Sequence, residues 1–321
     1  MKTYVNFLVL LFFFFSCNTK NKTEKAVEAI PVDLQVIRFD KIFFETEPKD
    51  LPKIKKEFPF FFPAGNDDTV WLEKMQHPLW RELYGEVQKK FSDFDPYKLE
   101  IEEVIKRIKY HFPKVQTPKK IFTVISEMDY NNKVIYADSL LIVSLEMYLG
   151  KEHKFYQFPN YIKQNFEPKQ MMPDVVESFA KRKMMPEKDK SYLAAMVQAG
   201  KELYLKDMLL PEDEYKDEDK IGYTSEQLLW CQENESYIWR YFIDGQLLYD
   251  DDPKLVSRFI SPAPFSKFYL EIDNESPGKV GAWIGWQIVR SYMKNNEVSL
   301  PELMRVSAKE IFEKSNYKPK K

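Results

Sequence analysis

Apolar residues recur at Ile101, Val104, Ile105, Ile108 and Phe112, one face of a helix, and Pro113 ends the run. Ahead of it, VDLQVIRFD at 32–40 alternates apolar and polar positions with the two-residue period of a strand. IFTVISEM at 121–128 reads as a strand, DYNNK as a turn and VIYADSLLIVSL at 134–145 as a second extended run. Together they predict a hairpin. After residue 161 the helical period dominates, with segments predicted near 173–184, 188–210, 224–248, 253–261, 277–294 and 299–314. The last opens with Ser299 and Glu302 at capping-box spacing. The fold class predicted is α+β: a small early antiparallel or mixed sheet, then a mainly helical body. Residues 31–321 form a single globular domain with no internal repeat.

The first thirty residues follow a different pattern. Lys2 precedes an unbroken apolar run from Phe7 to Phe15, followed by Ser16 and Cys17. Nine residues are too few to cross a bilayer, which takes about 20, so 1–16 reads as a signal peptide. A cysteine directly after a small residue is where a bacterial lipoprotein signal places its lipidation site, although Phe14 and Phe15 depart from the usual residues ahead of it. Cys17 is therefore expected to carry lipid and attach the chain to a membrane. The polar stretch 17–30 then serves as a flexible tether. No acidic cluster follows the cysteine, which favours a periplasm-facing position. With Cys17 acylated, Cys231 stands alone and no intrachain disulfide is expected.

Composition changes this picture only by exclusion. Lys+Arg 48 against Asp+Glu 50 gives a net charge of −2, without the basic bias of a nucleic-acid binder. With 44% apolar residues the chain has ample core. His77, His111 and His153 are far apart, so no metal or other cofactor is expected. PEDEYKDEDK at 211–220 lacks the glycine and the terminal glutamate of an EF-hand and reads as a solvated loop. PFFFP at 59–63 reads as a buried loop pinned by prolines, and Cys231 as an inert buried thiol. Glu233 and Glu235 are the carboxylates that draw notice, because they sit in an aromatic, apolar run. They either pair with cations in a buried cluster, for which Lys201, Arg240 and Arg290 are candidates, or line a cleft.

SPGKVGAWIGWQIVRSYM at 276–293 is helical in pattern yet glycine-bearing. A mid-helix glycine costs about 1 kcal/mol against alanine, so something must compensate. Gly281 and Gly285 lie four apart on one face that extends towards Gly278, and such a face lets a second helix approach closely. Residues 191–205, with Ala195, Ala199 and Gly200, are a matching partner. Lys279, Gln287 and Arg290 exclude a membrane span. Leucine at 281 or 285 is expected to overpack the contact, while alanine at 285 is expected to be mild.

Taken together, DSLLIVSLEMYLG (138–150), FYQFPNYI (155–162), MVQAGKELYLKDMLLP (196–211), SPGKVGAWIGWQIVRSYM (276–293) and IFEKSNYKPK (311–320) resemble the gliding motility lipoprotein GldB family of Bacteroidota. The similarity covers essentially the whole chain after the tether. It implies an envelope lipoprotein tied to gliding motility and the associated type IX secretion machinery. It carries no catalytic residues, and its expected partners are other gliding and secretion envelope proteins. The order of hairpin, helix 191–205, acidic helix and glycine-bearing helix is also similar to gluzincin metalloproteases, in which the first helix carries HExxH. Here MVQAGKEL stands in that place and none of the three histidines does, so the resemblance implies a zincin-like fold without the zinc motif. Glu233 or Glu235 would then be a remnant of the third ligand. The expectation is a protein that is not an enzyme and acts through protein contacts. The alternative is a peptide- or ligand-binding cleft, or a hydrolase, derived from a metalloprotease ancestor.

Overall fold

The structure, a computed structural model, describes residues 22–320. The signal peptide and the lipidation expected at Cys17 lie outside the described residues. What is described of the tether differs from the expectation. Lys22–Glu28 is a helix, α1, whose Val27 is fully buried, and Glu24 pairs with Arg107 across to the long helix Asp95–His111. The folded body therefore begins by residue 22.

Strand β1 (Gln35–Arg38) runs straight into α2 (Phe39–Glu45). Four helices follow: α3 (Leu51–Glu57), α4 (Asp68–Gln76), α5 (Pro78–Lys90) and α6 (Asp95–His111). Prolines punctuate them, at the second position of α3 and α6 and the first of α5, where the missing N–H has no intrahelical partner to lose. PFFFP is partly buried: Phe62 is inside against Trp71 and Phe43, whereas Phe60 is about half exposed at 52%.

The sheet continues with β2 (Lys120–Val124), β3 (Val134–Tyr136) and β4 (Leu140–Ser144), in the spatial order β1-β2-β4-β3. β1, β2 and β4 are parallel and only β3 is antiparallel, paired with β4. The hairpin expected between 121–128 and 134–145 is not formed. It lies inside the second run, where the polar residues Asp138 and Ser139 break the apolar sequence and Ala137 N–H closes the turn on Leu140 O at 2.9 Å. β2 is buried along almost its whole length, as expected of a central strand covered on both faces.

The second half is helical: α7 (Asn160–Lys163), α8 (Met171–Lys183), α9 (Tyr192–Leu209), α10 (Asp217–Ile221), α11 (Ser225–Asp244), α12 (Lys254–Phe259), α13 (Val280–Asn295), α14 (Leu300–Leu303) and α15 (Ala308–Ser315). α9 and α13 are buried on most sides, which is why both read as apolar nearly all round. They meet at Gly200 and Gly285. A Cβ on Gly285 would lie 1.8 Å from the Met196 carbonyl oxygen, and one on Gly200 would lie 2.3 Å from that of Gly285. The glycines let the two backbones touch. Gly281 instead faces the Tyr192 hydroxyl and the end of α12. Gly278 is not on the helix face at all: it precedes α13 and packs on the Ala263 carbonyl oxygen.

Candidate functional site

Lys201, Glu235 and Arg290 each bond to a different partner and Glu233 is exposed, so the four do not form one cluster. Lys201 is buried and donates to Val306 O at 2.7 Å, tying α9 to the segment before α15. Glu235 is buried and accepts from Tyr317 Oη at 2.8 Å, which fixes the C-terminal segment. Glu233 is exposed. Residues two apart on a helix point to different sides, so these two carboxylates on α11 never shared a face. Arg240 is exposed and lies over the Tyr237 ring. Arg290 binds Asp207 and Asp217, so part of the expected solvated loop 211–220 is instead the helix α10 and its ion pair.

Cys231 is fully buried, and burial pushes its thiol up to about 12. A thiol so raised is a poor nucleophile at neutral pH. The histidines stay on separate elements. His77 caps α5, accepting from Leu79 N–H at 3.2 Å, and His153 stacks on Phe155. Among the described residues no group of three or more His, Cys, Asp or Glu is placed to hold a metal ion.

What the fold builds instead is a cavity of about 390 Å³ between the segment before β3, α8, α9, the end of α10 and the start of α13. Tyr130, Tyr161, Phe166 and Tyr223 supply aromatic walls, and Asn131, Gln164 and Gln227 supply amides. Its charged groups come from helical spacing. Asp174, Glu177 and Lys181 form an i, i+3, i+7 stripe on α8, and Glu202 and Lys206 are four apart on α9. Lys133 arrives from the segment before β3 and Lys279 from the residue before α13.

Most of these charges hold one another. Lys133 Nζ lies 2.6 Å from Asp174, which also accepts from Tyr148 Oη at 2.7 Å. Glu177 takes Lys181 at 2.7 Å and Lys206 at 3.1 Å. Burial opposes ionisation of Glu177, yet Lys206 and Lys181 keep its carboxyl well below the usual range. Two groups are left over. Glu202 has no hydrogen-bond or ion-pair partner among the described residues, and burial, reinforced by Glu177, raises its carboxyl to about 7. Among the described residues Lys279 donates only to the Ile221 carbonyl at the end of α10, and burial together with Lys206 lowers its ammonium to about 8.

The cavity lining thus holds a carboxyl and an amine that both change charge close to neutral pH. Such groups serve as proton donors or acceptors where a reacting partner is in reach. The lining contains no serine, threonine, cysteine or histidine to act as a nucleophile beside them.

A family model described as gliding motility protein GldB matches residues 20–319. The match spans nearly the whole chain, so the chain belongs to the GldB family and is a gliding-motility-associated protein, and the family associates it with the cell envelope. No curated protein and no solved structure matches it. Among the described residues no helix is long and apolar enough to cross a membrane.

Proposed function

Starting from membership of the GldB family, we propose that the protein is a periplasm-facing lipoprotein, anchored through Cys17, that serves the gliding apparatus and its associated type IX secretion machinery by contact and not by catalysis. The charged cavity is the contact site, where it holds a ligand or a segment of a partner. The observation that carries this reading is the chemistry of that cavity. Most of its lysines and carboxylates are fixed by ion pairs, and no serine, threonine, cysteine or histidine lines it beside Glu202, its best acid or base.

The test is made in cells. Deletion in a gliding host is expected to stop movement, and re-expression of Glu202→Gln to restore it at the wild-type level. Glutamine keeps the shape and hydrogen-bond donor of a protonated carboxyl but neither gives nor takes a proton. A folded, membrane-located Glu202→Gln protein that leaves cells immobile would favour the hydrolase reading. The anchor has its own check. Labelled fatty acid should enter the wild type and be absent from Cys17→Ala, and equal labelling of the two would refute lipidation at this residue.

A further inference from the structure

We propose that the cavity holds an oxyanion, the carboxylate or phosphate group of a small ligand, between the ammonium groups of Lys279 and Lys206. This rests on the reading of the cavity as a binding site and names what it binds. Charge is the first argument. Lys133, Lys181, Lys206 and Lys279 face Asp174, Glu177 and Glu202, four cations against three carboxyls, while Lys220 is taken by Asp207 outside the group. Among the described residues, the lining cation with no carboxylate in ion-pair contact is Lys279. Its ammonium has three protons to donate and a single carbonyl acceptor, with the Tyr223 ring 5.5 Å away.

Backbone geometry is the second argument. Lys279 has φ 64° and ψ 22°, the left-handed region that side chains other than glycine, asparagine and aspartate seldom adopt. Strain of this kind persists where the surroundings hold a residue in place, and it gathers at ligand clamps. Lys279 also occupies the N-cap position of the 16-residue α13, which has no side-chain cap, and Ala282 in that helix's first turn lines the cavity. The N-terminal end of a helix favours negative charge. The third argument is Glu202, a carboxyl among packed groups that lines the same space with no partner of its own. Protonated, it donates a hydrogen bond to an oxyanion; ionised, it repels one.

The groups facing the site fix the direction of its pH dependence. Asp174, Glu177 and Lys181 on α8, Lys206 on α9 and Lys133 before β3 are already paired, so Glu202 and Lys279 are the two that titrate near neutrality. As pH rises through about 7 Glu202 loses its proton, and through about 8 Lys279 does. Both changes weaken oxyanion binding.

The experiment titrates the full chain in detergent micelles with N-acetylalanine, with its uncharged amide and with inorganic phosphate, followed by calorimetry. At pH 6.5 N-acetylalanine or phosphate is expected to bind and the amide not, the tighter of the two anions identifying the source of the oxyanion. N-acetylalanine stays ionised across the range, so its affinity should fall at least about tenfold by pH 8.5. Lys279→Met should weaken binding at least about tenfold, and it relieves a crowded cation, so it should not unfold the chain. Glu202→Gln, which keeps a donor and cannot ionise, should bind at pH 6.5 and lose less affinity than wild type by pH 8.5; a loss as large as that of wild type would take Glu202 out of the site. Equal binding by wild type and Lys279→Met, or no binding of either anion, overturns the proposal. If neither anion binds the wild type and Lys279→Met cells are nevertheless immobile, the oxyanion is wrong and the cavity remains the contact site.

Discussion

Gly285→Ala should destabilise the protein by about 3 kcal/mol or more, the upper end of what overpacking usually costs. The added methyl would lie 1.8 Å from the Met196 carbonyl oxygen and 2.4 Å from its carbon. Those atoms are backbone, so no rotamer change relieves the clash. α9 and α13 must separate, and the opening spreads to Trp286, Met196 and Val197, all fully buried. Alanine is therefore not the mild change that its small size suggests. The control is Gly85→Ala in α5, where a Cβ meets nothing within 4 Å. There the gain in helix propensity should leave stability equal or up to about 1 kcal/mol higher. Urea midpoints of the two variants against wild type decide the matter. A wild-type midpoint for Gly285→Ala would mean that the helices do not touch at this point.

That crossing was legible because a glycine marks it on each helix, Gly200 on α9 and Gly285 on α13, although Gly281, four residues from Gly285, faces Tyr192 and the end of α12 instead. Periodicity likewise located α6, α8, α9, α11 and α13, whose apolar stripes are long. The sheet was harder to read. β1 and β2 are parallel partners some eighty positions apart with five helices between, and no local pattern announces such a pairing. The short strand β3 and its return in β4 merged into one apolar run, with only Asp138 and Ser139 to mark the turn. α1 was hidden by its polarity, because it docks through Val27 and polar contacts that include the Glu24–Arg107 ion pair.

The cavity was illegible for a different reason. Glu202 and Lys206, or Glu177 and Lys181, look like ordinary surface pairs at i, i+4 spacing. Their meaning comes from α8 and α9 facing each other, with Lys279 delivered from a loop seventy positions later. A signal did exist: charged residues at helical spacing inside helices whose remaining positions are nearly all apolar. Glu233 and Glu235 attracted attention by the same logic, but helix geometry sends one outward and gives the other to Tyr317.

Arg290→Met should cost about 2–4 kcal/mol at neutral pH, somewhat below a fully buried pair because Arg290 and Asp217 remain 28% and 30% exposed. The guanidinium bridges two helices. It reaches Asp207 at 2.7 and 2.8 Å and Asp217 at 2.7 Å twice, while stacking 3.7 Å from the Trp286 ring. Asp207 also accepts from Trp286 Nε1 at 2.8 Å and from Lys220 at 2.9 Å. Methionine covers the ring but leaves two crowded carboxylates with Lys220 as their remaining ion-pair partner. Arg290→Lys should rescue little, since a point charge cannot span both carboxylates as the planar fork does. The pH dependence separates charge from packing. Burial opposes ionisation of Asp217, but Arg290 prevails and holds its carboxyl below the usual range. A depressed carboxyl contributes stability above its unfolded value of about 3.9 and loses it as pH falls through the folded value. The deficit of Arg290→Met against wild type should therefore be full at pH 7 and shrink below about pH 4, read as the difference between denaturant midpoints. A deficit unchanged between pH 7 and pH 3 would assign the loss to packing on Trp286 instead of the charge bridge.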